Sequence, residues 1–157
     1  MLARGCFDSP AYVVISLKGD LLPLSHHMSR FVRNRHLDGS RATGAAFAVR
    51  AGESYLSVNW LEHTGRDSRD EEISDLRQAL NEKLTTKRKD RIAVARVGHA
   101  IDNVRGGSSD NRELTVQHEP SRGDPSHSGV YGLRQDDDML VGDLLAETFT
   151  EMYPTRR

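Results

Sequence analysis

Leu56, Val58 and Trp60 take every second position of LSVNW, with Ser57 and Asn59 between them. Strict alternation of this kind suits a strand with one face in a core and the other in water. The preceding run GAAFAV, residues 44–49, is also apolar, and RAGES between the two supplies turn residues, so a hairpin is expected over this stretch. The Leu56 face belongs to the core, while the Ser57 face is free for function. A further strand is expected at AYVVISL, residues 11–17, which is β-branched and closed by the turn signal KGD.

The period changes after Asp70. Ile73, Leu76, Leu80 and Leu84 recur at helical spacing, and Asp70, Glu71 and Glu72 fall in the first turn, where the helix dipole favours negative charge. RIAVARVGHAIDNV then predicts a strand, or one long strand bent at a bulge on Gly98, with RGGSSDN as a turn and RELTVQH pairing back. A short strand is expected at GVYGL. A final helix over residues 136–152 would turn Val141, Leu144, Leu145, Thr148 and Met152 inward. PLSHHMSRFVRNRHLDGS predicts either a short helix from Ser25, with Met28, Phe31 and Val32 on one face, or an irregular arm. The expected fold is α+β: a mostly antiparallel sheet built from hairpins with two helices packed on it. One domain spans residues 1–157, with an arm at about 23–40 and a long loop at about 119–132.

Charge narrows the partners. The formal net charge of -1 supplies no global attraction to nucleic acid or anionic lipid, so such binding requires a local patch. The sequence does segregate its charges. Arg30, Arg33, Arg35, Arg41 and Arg50 face only Asp38 in their stretch; Lys83, Lys87, Arg88, Lys89 and Arg91 form a second basic run, and residues 136–151 are acidic. Cys6 is the single cysteine, which excludes an internal disulfide and a cysteine-based zinc site and fits a reducing, cytoplasmic setting. No apolar run is long enough to span a bilayer, so no membrane partner is expected.

Two segments carry candidate chemistry. In RELTVQHEPSRGDPSHSGVYG, His118 closes a strand and His127 lies in a loop between Ser126 and Ser128; a hydrolase or transferase would use His118 and His127 as acid and base with Ser126 beside them. SHSG is not a nucleophile elbow and HEP is not a zinc-protease motif, so a plain connecting turn suits the same residues. In HHMSRFVRNRH, His26, Arg30 and Arg33 present imidazole and planar guanidinium groups suited to phosphate or carboxylate, and Phe31 adds a stacking surface. The bland counterpart is an exposed arm whose arginines pair with the acidic C-terminal segment. Asn59 joins the candidate binding residues from the polar strand face, a position equally suited to ordinary sheet surface. His26, His118 and His127 with Asp124 or Glu119 have donor atoms that zinc accepts, but nothing in their spacing requires it, and neither metal nor cofactor is expected.

The stretches HHMSRFVRNRHLDG, GAAFAVRAGESYLSVNWLE and HEPSRGDPSHSGVYG resemble an uncharacterised group of small bacterial hypothetical proteins over most of residues 20–153. The resemblance implies a bacterial origin and transfers no activity. The residues themselves support a small binding or accessory protein that recognises an anionic ligand, nucleotide or nucleic acid, or a protein partner. The alternative is a His/Arg-dependent enzyme acting on a phosphate-containing substrate.

Overall fold

The computed structural model describes residues 16–157. Cys6, and the strand expected at 11–17 apart from Ser16 and Leu17, lie outside the described residues. The strands are β1 (His27–Val32), β2 (Leu37–Asp38), β3 (Arg41–Ala42), β4 (Leu56–Trp60), β5 (Arg91–Arg96), β6 (Thr115–His118), β7 (His127–Tyr131) and β8 (Glu151–Pro154), and the helices are α1 (Arg69–Lys83), α2 (Val97–Gly107) and α3 (Met139–Ala146). A six-stranded sheet has the order β6-β7-β4-β1-β5-β8, and β2 and β3 form a separate ribbon. Every pairing is antiparallel. The fold is therefore α+β, with three helices where two were expected.

The central strand β1 occupies the segment expected to be a helix or arm. Met28 and Val32 satisfy a strand's period of two as well as a helix's period of four, and pairing with β4 and β5 decides between them. Met28 lies opposite Trp60, and both are buried against α2, α3 and the turn at 44–49; Leu56, Val58, Val116 and Val130 fill the same core. The other face holds a smaller cluster of Ile73, Leu76, Ile92 and Val94, covered by α1. That helix starts at Ser68, whose hydroxyl accepts from Glu71 N, with three acidic residues in its first turn as expected. Leu84, expected on its inner face, lies past the helix end and is exposed.

Four further expectations are corrected. GAAF is a 3-10 turn and not the first arm of a hairpin: Gly44 and Gly142 bring this turn against α3 so closely that a Cβ on Gly142 would lie 2.6 Å from Gly44 O. The long bent strand ends at Arg96 and α2 begins there, its Val97 N and Gly98 N donating to the carbonyls of His26 and Leu24 at 2.9 Å. Gly98 thus sits in a helix's first turn, where a Cβ would meet Leu24 O at 3.0 Å. RELTVQH pairs with β7, not back onto β5, so the loop at 119–126 is a hairpin connection. The last helix stops at Ala146, and the chain then extends into β8, with Met152 opposite Ala93 at the sheet edge.

Candidate functional site

β1 runs antiparallel to both β4 and β5, so its C-terminal end lies beside the N-terminal ends of those strands, and the C-terminal ends of β7 and β8 fall in the same row. Val32 opposite Arg91, and Arg91 opposite Pro154, set the basic segments of three strands side by side. Two shallow depressions open on this end of the sheet. One is lined by Arg33, Asn34, Arg35, Arg50, Lys87 and Asp90, the other by Arg88, Lys89, Arg91, Pro154, Arg156 and Arg157. The 85–90 turn joins them, held by Thr155 Oγ1 donating to Lys87 O at 3.2 Å.

Among the described residues Asp90 is the one side-chain carboxylate lining either depression, and it is bonded internally. It is 1% exposed and accepts from Asn34 N and Lys87 N, both at 2.8 Å, with Arg33 NH1 3.7 Å away. It therefore ties Asn34 to the 87–90 turn across the first depression. Arg33 lies over Phe31 at 4.9 Å and donates to Thr85 O. Burial first, and then Arg35, Arg30 and Arg50, hold the His36 imidazole below the ordinary value.

Arg30 has a different use. Its Nε donates to Ala46 O at 2.9 Å and its NH1 to Ser57 O at 2.8 Å, fastening β1 to the 44–47 turn and to β4. Burial, reinforced by Arg50, pushes its guanidinium down to about 10. The acidic segment does not pair with these arginines. Asp137 instead forms a bidentate pair with Arg112, at 2.6 and 2.9 Å, and Asp138 caps α3.

The candidate acid-base residues are distributed over both faces of the sheet. His118 lies opposite Ser128, so His127, one residue earlier in β7, points to the other face. His118 is 2% exposed, its Nε2 donating to Pro125 O at 2.8 Å and its Nδ1 meeting Ser16 Oγ at 2.9 Å. Its aromatic neighbours are Trp60 and His63, with ring centroids at 5.3 and 4.8 Å. His26 Nδ1 accepts from Trp60 Nε1 at 3.0 Å. His127 instead donates from Nδ1 to Glu119 O at 2.8 Å and pairs through Nε2 with Ser57 Oγ at 3.2 Å. The His118–His127 pair of the enzyme alternative is thus not assembled. Ser126 and Asp124 are buried beside the half-buried Asn59, whose Nδ2 donates to both, at 2.9 and 2.8 Å, and Lys83 closes the group with an ion pair to Asp124. This group ties the 119–126 loop to α1 and β4.

Sequence reasoning does not single out His63, because it forms no motif. Its imidazole is held below 6.5, chiefly by burial and then by His118. Below pH 6.5 the unfolded chain therefore binds more protons at this position than the folded one, and stability rises with pH from the folded value up to about 6.5. Urea unfolding at about pH 5 and pH 7 should show a rise in midpoint that is smaller in His63→Gln; an identical rise in both proteins would refute this role. Arg156 and Arg157 are absent from the expected binding residues too, although the basic ending YPTRR is visible in the chain.

Among the described residues no group of three or more His, Cys, Asp or Glu is placed to hold a metal ion, and no helix is long and apolar enough to cross a membrane. Comparison with protein-family models, curated proteins and solved structures finds no match.

Proposed function

We propose that the protein is a binding module for a polyanion, with nucleic acid as the fitting class, and that the basic rim at the β1/β5/β8 end of the sheet is its interface. One observation carries this reading: two basic runs remote in sequence, with the C-terminal arginines, converge on a surface whose one lining side-chain carboxylate among the described residues is buried and already bonded. Like charges repel when gathered on a protein surface, and a phosphate backbone offsets that repulsion while releasing condensed counterions. The side chains suit phosphate chemistry, since arginine offers planar forks and lysine mobile point charges.

The test is fluorescence anisotropy with a labelled oligonucleotide between about 50 and 200 mM salt. Affinity should fall steeply with salt. Lys87→Glu with Arg88→Glu should weaken binding at least tenfold and flatten the salt slope by roughly 0.7 to 0.9 per lost contact. Arg96→Glu, exposed at the opposite end of β5 from Arg91, serves as the control and should change little. Bound phosphate should also raise the His36 pKa, readable by NMR titration. No binding at the lowest salt, or equal losses at Arg96 and the rim, would overturn the proposal.

A further inference from the structure

Helix α1 covers β1 and β5 on its face of the sheet through Ile73, Leu76, Ile92 and Val94 and reaches the edge of β4 through Lys83, while among the described residues no helix packs on β7 and β6 of that face. On the β4–β7–β6 half Ser57 and Thr115 are exposed, while Tyr55, Asn59, His127 and Tyr131 are half-buried. Gly129, in the middle of β7, explains how Tyr55 rests there. A Cβ on Gly129 would lie 2.6 to 2.7 Å from Tyr55 Cγ, Cδ1 and Cδ2, so the ring occupies the space that any other side chain would fill. The ring is half-buried in this seat.

Two more rings flank it, Tyr131 at 5.1 Å and His127 at 5.9 Å between centroids. Both are fixed by hydrogen bonds. Tyr131 donates to Glu119 Oε2 at 2.5 Å, and His127 is held between Glu119 O and Ser57 Oγ. The platform lies at the basic end of the sheet: β4 begins at Leu56 opposite Val130 near the end of β7, and the turn before Tyr55 carries Arg50, which lines the first depression of the rim. The acids facing it are Glu119, occupied by Tyr131 with Lys18 at 4.0 Å, and Glu53, which accepts from Arg50 N.

We infer that this sheet face is a stacking platform for the bases of a single-stranded nucleic acid whose phosphates lie on the basic rim. The inference rests on the rim reading and specifies its ligand. Unpaired bases expose the π-faces that Tyr55 can stack on, whereas a duplex buries them between its own neighbours. Arg50 stands where a backbone leaving the platform would meet the rim.

The test compares three anisotropy probes: oligo(dT) of about ten nucleotides, within the footprint of one small domain, an abasic oligonucleotide of the same length, and the oligo(dT)·oligo(dA) duplex. The wild type should bind oligo(dT) at least about fivefold more tightly than the abasic strand, the smallest effect of one stacked base. Tyr55→Leu, which keeps apolar cover over Gly129, should remove that preference and leave abasic binding unchanged, and Gly129→Val should act the same way by displacing the ring. Thermal melts establish that each variant is folded; should Gly129→Val not fold, Tyr55→Leu alone decides. Equal wild-type affinity for oligo(dT) and the abasic strand, or tighter binding of the duplex, would overturn the platform and leave the rim reading standing. Failure to bind any probe would overturn both.

Discussion

Trp60→Ala is expected to cost about 3 to 5 kcal/mol of folding stability, the usual range for deleting a large buried aromatic. That is a large share of the stability of a domain this size. Trp60 is 3% exposed, lies opposite Met28 at the centre of the sheet, and packs edge-on to His118. Its indole N–H is also the donor to His26, so truncation leaves that imidazole without its bond as well as opening a cavity. Trp60 is the only tryptophan, so the transition must be followed by circular dichroism and not by indole fluorescence. Ser57→Ala, three residues earlier on the exposed face, should cost less than about 1 kcal/mol. Comparable losses at the two positions would mean that the register of β4 is wrong.

A loss of about 2 to 3 kcal/mol is expected from Asp137→Ala, because it takes the bidentate partner from a nearly buried guanidinium and leaves it only Asp110 and a backbone carbonyl. The Arg112 side chain is only 9% exposed. Its guanidinium is shared among Asp137, Asp110 and Gly132 O, and its backbone N–H donates to Ser108 Oγ. Asp137 also accepts from Arg134 N, so its removal frees donors on both sides of the loop. The bond from Arg112 holds the Asp137 carboxyl below the ordinary carboxylate range. A depressed carboxyl stabilises fully above its unfolded pKa of about 3.9 and loses that contribution as pH falls through the folded value. The gap between wild type and Asp137→Ala in urea midpoints should therefore be widest near neutral pH and narrow below about pH 4. A gap under about 1 kcal/mol at pH 7 would show that the pair behaves like an exposed one.

Elements marked by their own neighbouring residues are legible in the chain. The alternation of Leu56, Val58 and Trp60 marks one face of β4, and the period of Ile73 and Leu76 with the acidic first turn marks α1; each is a local property. Segments that can serve two periods are not legible in this way. Met28 and Val32 fit a helix or a strand, and Val97, Ala100 and Val104 continue RIAVAR without a break although the chain turns into α2 after Arg96. Strand pairing with partners tens of residues away settles these cases, and no window of sequence contains those partners. The same holds for Glu151–Pro154, a strand because the edge of β5 was open to it.

The candidate site divides in the same way. The basic runs are visible as runs, yet their union into one rim depends on Val32 meeting Arg91 and on Arg91 meeting Pro154. The parity of the β6–β7 register sends His118 into the core and His127 to the open face, so two histidines nine residues apart never share a site. Nor does anything in the local sequence say that Gly129 lies under Tyr55. By itself the sequence determined the α+β class, the inner face of β4, helix α1 and the segregation of charge, because each follows from composition or periodicity along the chain. Only the tertiary structure decided the central position of β1, the continuous basic rim and the platform beside it, because hydrogen-bonded register across strands sets which distant side chains become neighbours and on which face they stand.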